Sequence, residues 1–179
     1  MSTDATLYGP ILRNVSRSFY LSIRLLPKKL RRPVGLAYLL ARATDTVADT
    51  SGVEAAVRTK TLADLASIIQ GDEPAHDASG LVASFAPRQS NRSERTLIEA
   101  LPDCLNELNE LDPDDREDVQ TVLGKITKGQ ALDVERFGDA AEPQPLQTAL
   151  DLHEYTYLVA GCVGEFWTRI CFRHVANFS

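Results

Sequence analysis

Between Pro33 and Thr50 the chain reads PVGLAYLLARATDTVADT, and this stretch limits most strongly what the rest can fold into. Leu36, Leu39, Leu40, Ala41, Ala43 and Val47 spread over much of a helix circumference, and a helix that is apolar nearly all round is buried. Four polar side chains interrupt it at helical spacing: Tyr38, Arg42, Asp45 and Asp49. A four-residue step turns about 40° past a full turn, so the four lie along one stripe. Carboxylates in a buried helix are costly unless paired, and one arginine does not fully neutralise two of them. Two readings stay open on spacing alone. The aspartates are solvated near the end of an ordinary helix with Arg42 as a weak i,i+3 partner, or they hold a cation. Mg²⁺ commonly takes one or two protein carboxylates and completes its shell with water and substrate phosphate.

The remainder reads as helix almost throughout. Apolar periodicity predicts helices over 16–26, 33–50, 53–70, 93–111, 114–137 and 145–174, with breaks at Pro27, Gly52, Gly71, Pro74, Pro87, Pro113, Gly138, Pro143 and Pro145. Without a convincing alternating strand or an internal repeat, the expected architecture is an all-α bundle around a central cavity. The length of 179 residues and a 44% hydrophobic content suit one domain. Asp114, Asp115 and Asp118 follow Pro113 and read as a solvated helix start favoured by the helix dipole.

Cysteine and histidine usage excludes a zinc site built from sequence neighbours. Cys104, Cys162 and Cys171 show no C-x-x-C spacing, His76, His153 and His174 are scattered, and an odd cysteine count fits reduced thiols. Cys162 and Cys171 read as small core residues. Met1 to Tyr8 lacks the order of a signal peptide, and no apolar run approaches the roughly 20 residues of a membrane helix. The expected location is cytoplasmic, soluble or peripheral to a membrane. Residues 1–42 hold eight basic residues against the single acid Asp4, so the overall charge of −6 leaves −13 on the remainder. That acidic remainder would repel a nucleic-acid backbone, which argues against such a partner. Lys28 to Arg32 reads either as a surface turn or as a contact to anionic lipid.

Three further stretches give the aspartates a context. SRSFY spans Ser16 to Tyr20, GQALDVERF spans Gly129 to Phe137, and YTYLVAGCVG spans Tyr155 to Gly164. With RATDTVAD at Arg42–Asp49 they closely resemble, in order, the squalene and phytoene synthases, the head-to-head prenyl synthases, and the wording leans toward bacterial squalene synthases. The resemblance implies an isoprenoid-synthase-like all-α fold. It implies Mg²⁺, or Mn²⁺ in its place, held on a diphosphate by Asp45 and Asp49, with Arg42 beside them. Ser16, Arg17 and Ser18 match a diphosphate-contacting segment, Phe19 and Tyr38 pocket positions, and Tyr155 a tyrosine implicated in proton removal or cation stabilisation. Val159 continues that wall. Gly129, Gln130 and Asp133 lie on a plausible inner face, and Asp133 reads equally as a structural partner of Arg136.

The implied reaction joins two farnesyl diphosphates to presqualene diphosphate or squalene, with NADPH serving the reduction. Geranylgeranyl diphosphate and a phytoene product, dehydrosqualene, and a non-catalytic half-site are the alternatives. Relatives of this kind carry a second aspartate-rich helix downstream, which the sequence up to Ser179 does not show. The expectation is therefore a single partial, C-terminally truncated prenyl-synthase domain over 1–179. A dimer or a second subunit would supply what is missing.

Overall fold

The computed structural model describes residues 3–72, 78–138 and 145–178; Pro74, His76 and Pro143, named above, lie outside them. Eleven α-helices in chain order account for most of these residues. They are α1 (Thr3–Thr6), α2 (Leu12–Ser16), α3 (Phe19–Leu25), α4 (Lys28–Ala48), α5 (Ala55–Gln70), α6 (Ala78–Phe85), α7 (Arg92–Glu99), α8 (Leu101–Asn109), α9 (Pro113–Phe137), α10 (Ala149–Thr156) and α11 (Cys162–His174). No strand occurs among the described residues, and the all-α expectation holds.

The bundle is organised around α4, whose Leu36, Leu39, Leu40, Ala43 and Val47 are completely enclosed. It packs against α5, α8 and α9, while α9 also carries α11. Pro27 caps α4, so the helix starts a turn and a half earlier than expected, and Pro33 lies inside it. The expected helix over 93–111 is two helices meeting at Ala100, because Pro102 starts a new first turn. The expected 145–174 helix begins at Ala149, where Thr148 and Asp151 form a capping box, and is interrupted by a π-turn over Tyr157–Gly161.

The acidic start of α9 departs from expectation. Asp115 and Asp118 are buried, not solvated. Arg173 on α11 lies 3.0 Å from Asp115 and 2.7 Å from Asp118, His174 Nε2 is 2.7 Å from Asp115, and Arg169 is 3.7 Å from Asp118. These pairs fasten the end of α11 across the first turns of α9. Cys162 is in the core, as expected, and Cys171 packs at its edge.

Candidate active site

The polar stripe of α4 forms one side of an open pocket of about 460 Å³, lined by Asp45 and Asp49 from α4, Gln130 and Asp133 from α9, and Tyr155 from α10. Five residues expected at the site thus converge from three helices. The carboxylates stand at a mouth and are not sealed in: Asp45 is half-buried, and Asp49, the C-cap of α4, is exposed. Arg42 forks between two acids, donating from Nη1 to Asp45 at 2.5 Å and from Nη2 to Glu94 at 2.6 Å. Glu94, on α7, has no counterpart in the sequence reading, because its partner lies 52 residues away.

The pocket sets Asp45, Asp49 and Asp133 against one lining cation, Arg58, whose guanidinium donates to the Val53, Ala48 and Gly138 carbonyls. Burial, then the neighbouring Asp49, raise the Asp45 pKa, against the pull of Arg42. Burial also raises the Asp133 pKa; a hydrogen bond from the Tyr155 hydroxyl opposes that, and the charge on Asp49 adds to it. Tyr155 in turn is pushed up by burial and by Asp133, so it remains a phenol. Asp133 thus has both Tyr155 and Arg136 acting on it, and Arg136 also reaches Asp151 at 4.0 Å. Asp133 Oδ1 and Gln130 Oε1 are buried acceptors without a hydrogen-bond partner. Acceptors left unmet beside two more carboxylates fit a bound cation. No three acidic, histidine or cysteine side chains among the described residues converge closely enough to cage a metal alone. Such an ion would take its other ligands from phosphate and water, the usual habit of Mg²⁺.

Two turns up α4 the chemistry changes. Ala37, Tyr38 and Ala41 line an apolar cavity of about 220 Å³ with Phe19, Ile126, Phe166 and others. Phe19 and Tyr38 rings sit 5.9 Å apart, and the Tyr38 hydroxyl donates to Val15 O at 3.3 Å. Trp167, which the sequence did not single out, lines this cavity too. Tyr38 and Asp45 are seven residues apart on one helix, about 10 Å of rise. An acidic mouth and an apolar recess are thus joined along α4.

The remaining expected residues divide. Ser16 is buried and spends its hydroxyl on Leu12 O, 2.5 Å away, so it faces the fold interior. Arg17 and Ser18 are exposed, and Arg17 sits at φ 48°, a region costly for a side chain. Gly129 is a packing residue: a Cβ there would meet Leu158 Cβ at 3.0 Å. Gly161 likewise admits the Tyr157 ring, whereas a Cβ on Gly164 would meet nothing within 4 Å. Val159 is 42% exposed on the outer side of the π-turn. Lys125, also unforeseen, donates to Tyr157 and Glu165 at 2.5 and 2.6 Å and ties that turn to α9 and α11.

The sequence pattern of squalene/phytoene synthase matches residues 12–177. The chain belongs to the squalene/phytoene synthase family. It is 28% identical over 169 residues to squalene synthase of Yarrowia lipolytica, covering 94% of this chain and 36% of that protein. To the bifunctional lycopene cyclase/phytoene synthase of Blakeslea trispora it is 27% identical over 169 residues, 93% of this chain and 25% of that one. A solved ligand complex of TcSQS superposes with a TM-score of 0.73 at 22% identity, over 96% of this chain and 45% of that one, which shows the shared fold. The chain spans about a third of the length of the curated squalene synthases it matches.

Proposed function

We infer that this chain carries part of a head-to-head prenyl diphosphate condensation site, with farnesyl diphosphate the favoured substrate and presqualene diphosphate or squalene the product. One observation carries the reading: the acidic mouth with Asp45, Asp49, Asp133 and Tyr155 adjoins the apolar recess of Phe19, Tyr38 and Phe166 along a single helix. That arrangement suits a ligand with a diphosphate head and a hydrocarbon tail. Membership of the family supports the reaction class, and relatives on both the squalene and the phytoene side leave the chain length of the substrate to experiment.

Asp45 and Asp49 would hold Mg²⁺ or Mn²⁺, which when bound supplies charge neutralisation to a departing diphosphate. Arg42, fixed between Asp45 and Glu94, holds the Asp45 carboxylate in position and adds positive charge beside it. Phe19, Tyr38 and Phe166 exclude water from the hydrocarbon and present ring faces to positive charge without trapping it as a nucleophile would. The Tyr155 phenol, beside Asp133, would accept a proton from the cation as it passes its own to that carboxylate. Ser16 supports this segment from within, and the exposed Arg17 and Ser18 would meet the second diphosphate.

A second reading follows from how open the acidic pocket is and from the single acidic pair on α4. Here the chain binds prenyl diphosphate but needs a second polypeptide, or a second copy, for turnover. Incubation with radiolabelled farnesyl or geranylgeranyl diphosphate and Mg²⁺, with and without NADPH, separates the two. A C30 or C40 product lost in Asp45→Asn and Asp49→Asn supports condensation. Mg²⁺-dependent binding of an unreactive analogue without product supports the half-site, and absence of both defeats the two readings together.

A further inference from the structure

No residue of α7 lines the acidic mouth or the apolar recess, yet Glu94 on that helix is built into the site through Arg42. The Arg42 guanidinium spends Nη1 on Asp45 at 2.5 Å and Nη2 on Glu94 at 2.6 Å, and its Nε is buried without an acceptor. One cation is thus shared by two carboxylates from different helices, through two charge-assisted bonds. The Glu94 side chain is 24% exposed against 39% for Asp45, so it is the better enclosed of the two acids.

The first turn of α7 is held firmly in place. Leu97 and Ile98, one turn after Glu94, are completely enclosed. Asn91 Oδ1 caps the helix, accepting from Ser93 N at 2.8 Å and Glu94 N at 3.4 Å. Arg95 donates to Gln89 O at 2.9 Å, and the buried Gln89 side chain donates to Thr50 Oγ1 at 2.9 Å, directly after Asp49. This segment is therefore fastened to α4 at Arg42, before the acidic pair, and at Thr50, after it. An outer partner fixed in this way orients the inner group it holds.

When Asp45 gives its charge to a bound cation, its hold on Arg42 weakens and the two positive charges repel. Without a second acid, Arg42 would compete for Asp45 or be left partly buried with no counter-charge. We propose that Glu94 is a positioning residue of the diphosphate site: it retains the Arg42 guanidinium when Asp45 turns to a cation, so that Arg42 stays beside the site and Asp45 is free to bind. The inference rests on the reading of Asp45 and Asp49 as the metal and diphosphate handle.

Calorimetric titration of an unreactive farnesyl diphosphate analogue with Mg²⁺ reads the effect. Glu94→Gln should weaken binding about fivefold, the upper range for a partly exposed ion pair. In an Arg42→Gln background the same change should cost about twofold or less. Unchanged binding in Glu94→Gln overturns the proposal, and so does a fivefold loss that persists without Arg42, which would make Glu94 act on the cation directly. A metal-free cycle tests the shared cation by itself. In urea unfolding at neutral pH, Glu94→Gln and Asp45→Asn should each be tolerated, because Arg42 keeps one acid. The double variant should raise the unfolding constant about tenfold beyond the product of the two single effects. Additive effects overturn the sharing of Arg42 whatever the analogue does. Wild-type binding indifferent to Mg²⁺ defeats the handle reading itself, and the role of Glu94 falls with it.

Discussion

Two glycines on α9 make opposite predictions for the same substitution, and together they test the packing that places Tyr155 beside Asp133. Glycine in a helix interior costs about 1 kcal/mol relative to alanine, so helix propensity alone says both Gly124→Ala and Gly129→Ala stabilise. At Gly124 the new Cβ meets Gln70 Nε2 at 3.3 Å, the exposed far end of a flexible side chain that can shift by a few tenths of an ångström within its 2.9 Å hydrogen bond to Gln120 O. At Gly129 it meets Leu158 Cβ at 3.0 Å, with Leu158 C at 3.5 Å, and neither moves without the π-turn itself. Carbon pairs prefer about 3.5–4.0 Å, so the turn must retreat from α9 by about half an ångström or more. Overpacking of this kind costs about 1–3 kcal/mol and outweighs the propensity gain. Gly124→Ala is expected to gain about 0.5–1 kcal/mol in urea unfolding, and Gly129→Ala to lose about 0–2 kcal/mol. Stabilisation of equal size by both would refute the close approach of Leu158, and with it the account of how α9 seats the Tyr155 segment.

Three other outcomes follow from the same structure. Leu39→Ala, at a completely enclosed position on α4, should cost about 2–5 kcal/mol by chemical denaturation. Arg173→Ala should cost about 3–5 kcal/mol, since it leaves Asp115 and Asp118 buried without their main cation, and an Asp115→Asn/Asp118→Asn background should remove most of that loss. In the absence of metal the raised Asp45 pKa means the native state binds the proton more tightly than the unfolded one. Its contribution to stability therefore falls as pH rises from the ordinary aspartate range through the elevated native value. Asp45→Asn should thus raise the melting temperature of the metal-free protein at neutral pH and flatten its dependence across that window.

Much of the fold was legible because α4 announces itself locally: its apolar residues and its polar stripe follow one helical period. The acidic pair and its arginine lie on that same stripe, whereas Tyr155 was joined to them only by the resemblance that YTYLVAGCVG carries. What escaped depends on contacts between distant segments. Asp115 and Asp118 follow the pattern of a solvated first turn, and only the arrival of Arg173, 58 residues after Asp115, turns them into a buried clasp. Glu94 is an ordinary first-turn acid of α7 until α7 is laid against Arg42. Asp133 read either as an inner-face residue or as a partner of Arg136, and its distance from Tyr155 in sequence hid that second neighbour. The break at Ala100 was readable from Pro102 but was outweighed by apolar periodicity running through it.

The central claim, that Asp45 and Asp49 are the anchor of a metal-bridged diphosphate, is tested most directly by calorimetric titration of an unreactive farnesyl diphosphate analogue with and without Mg²⁺. The account predicts binding that requires Mg²⁺ and weakens at least about tenfold, some 1.4 kcal/mol, in both Asp45→Asn and Asp49→Asn. Analogue binding that ignores Mg²⁺, or that survives both substitutions unchanged, would contradict it.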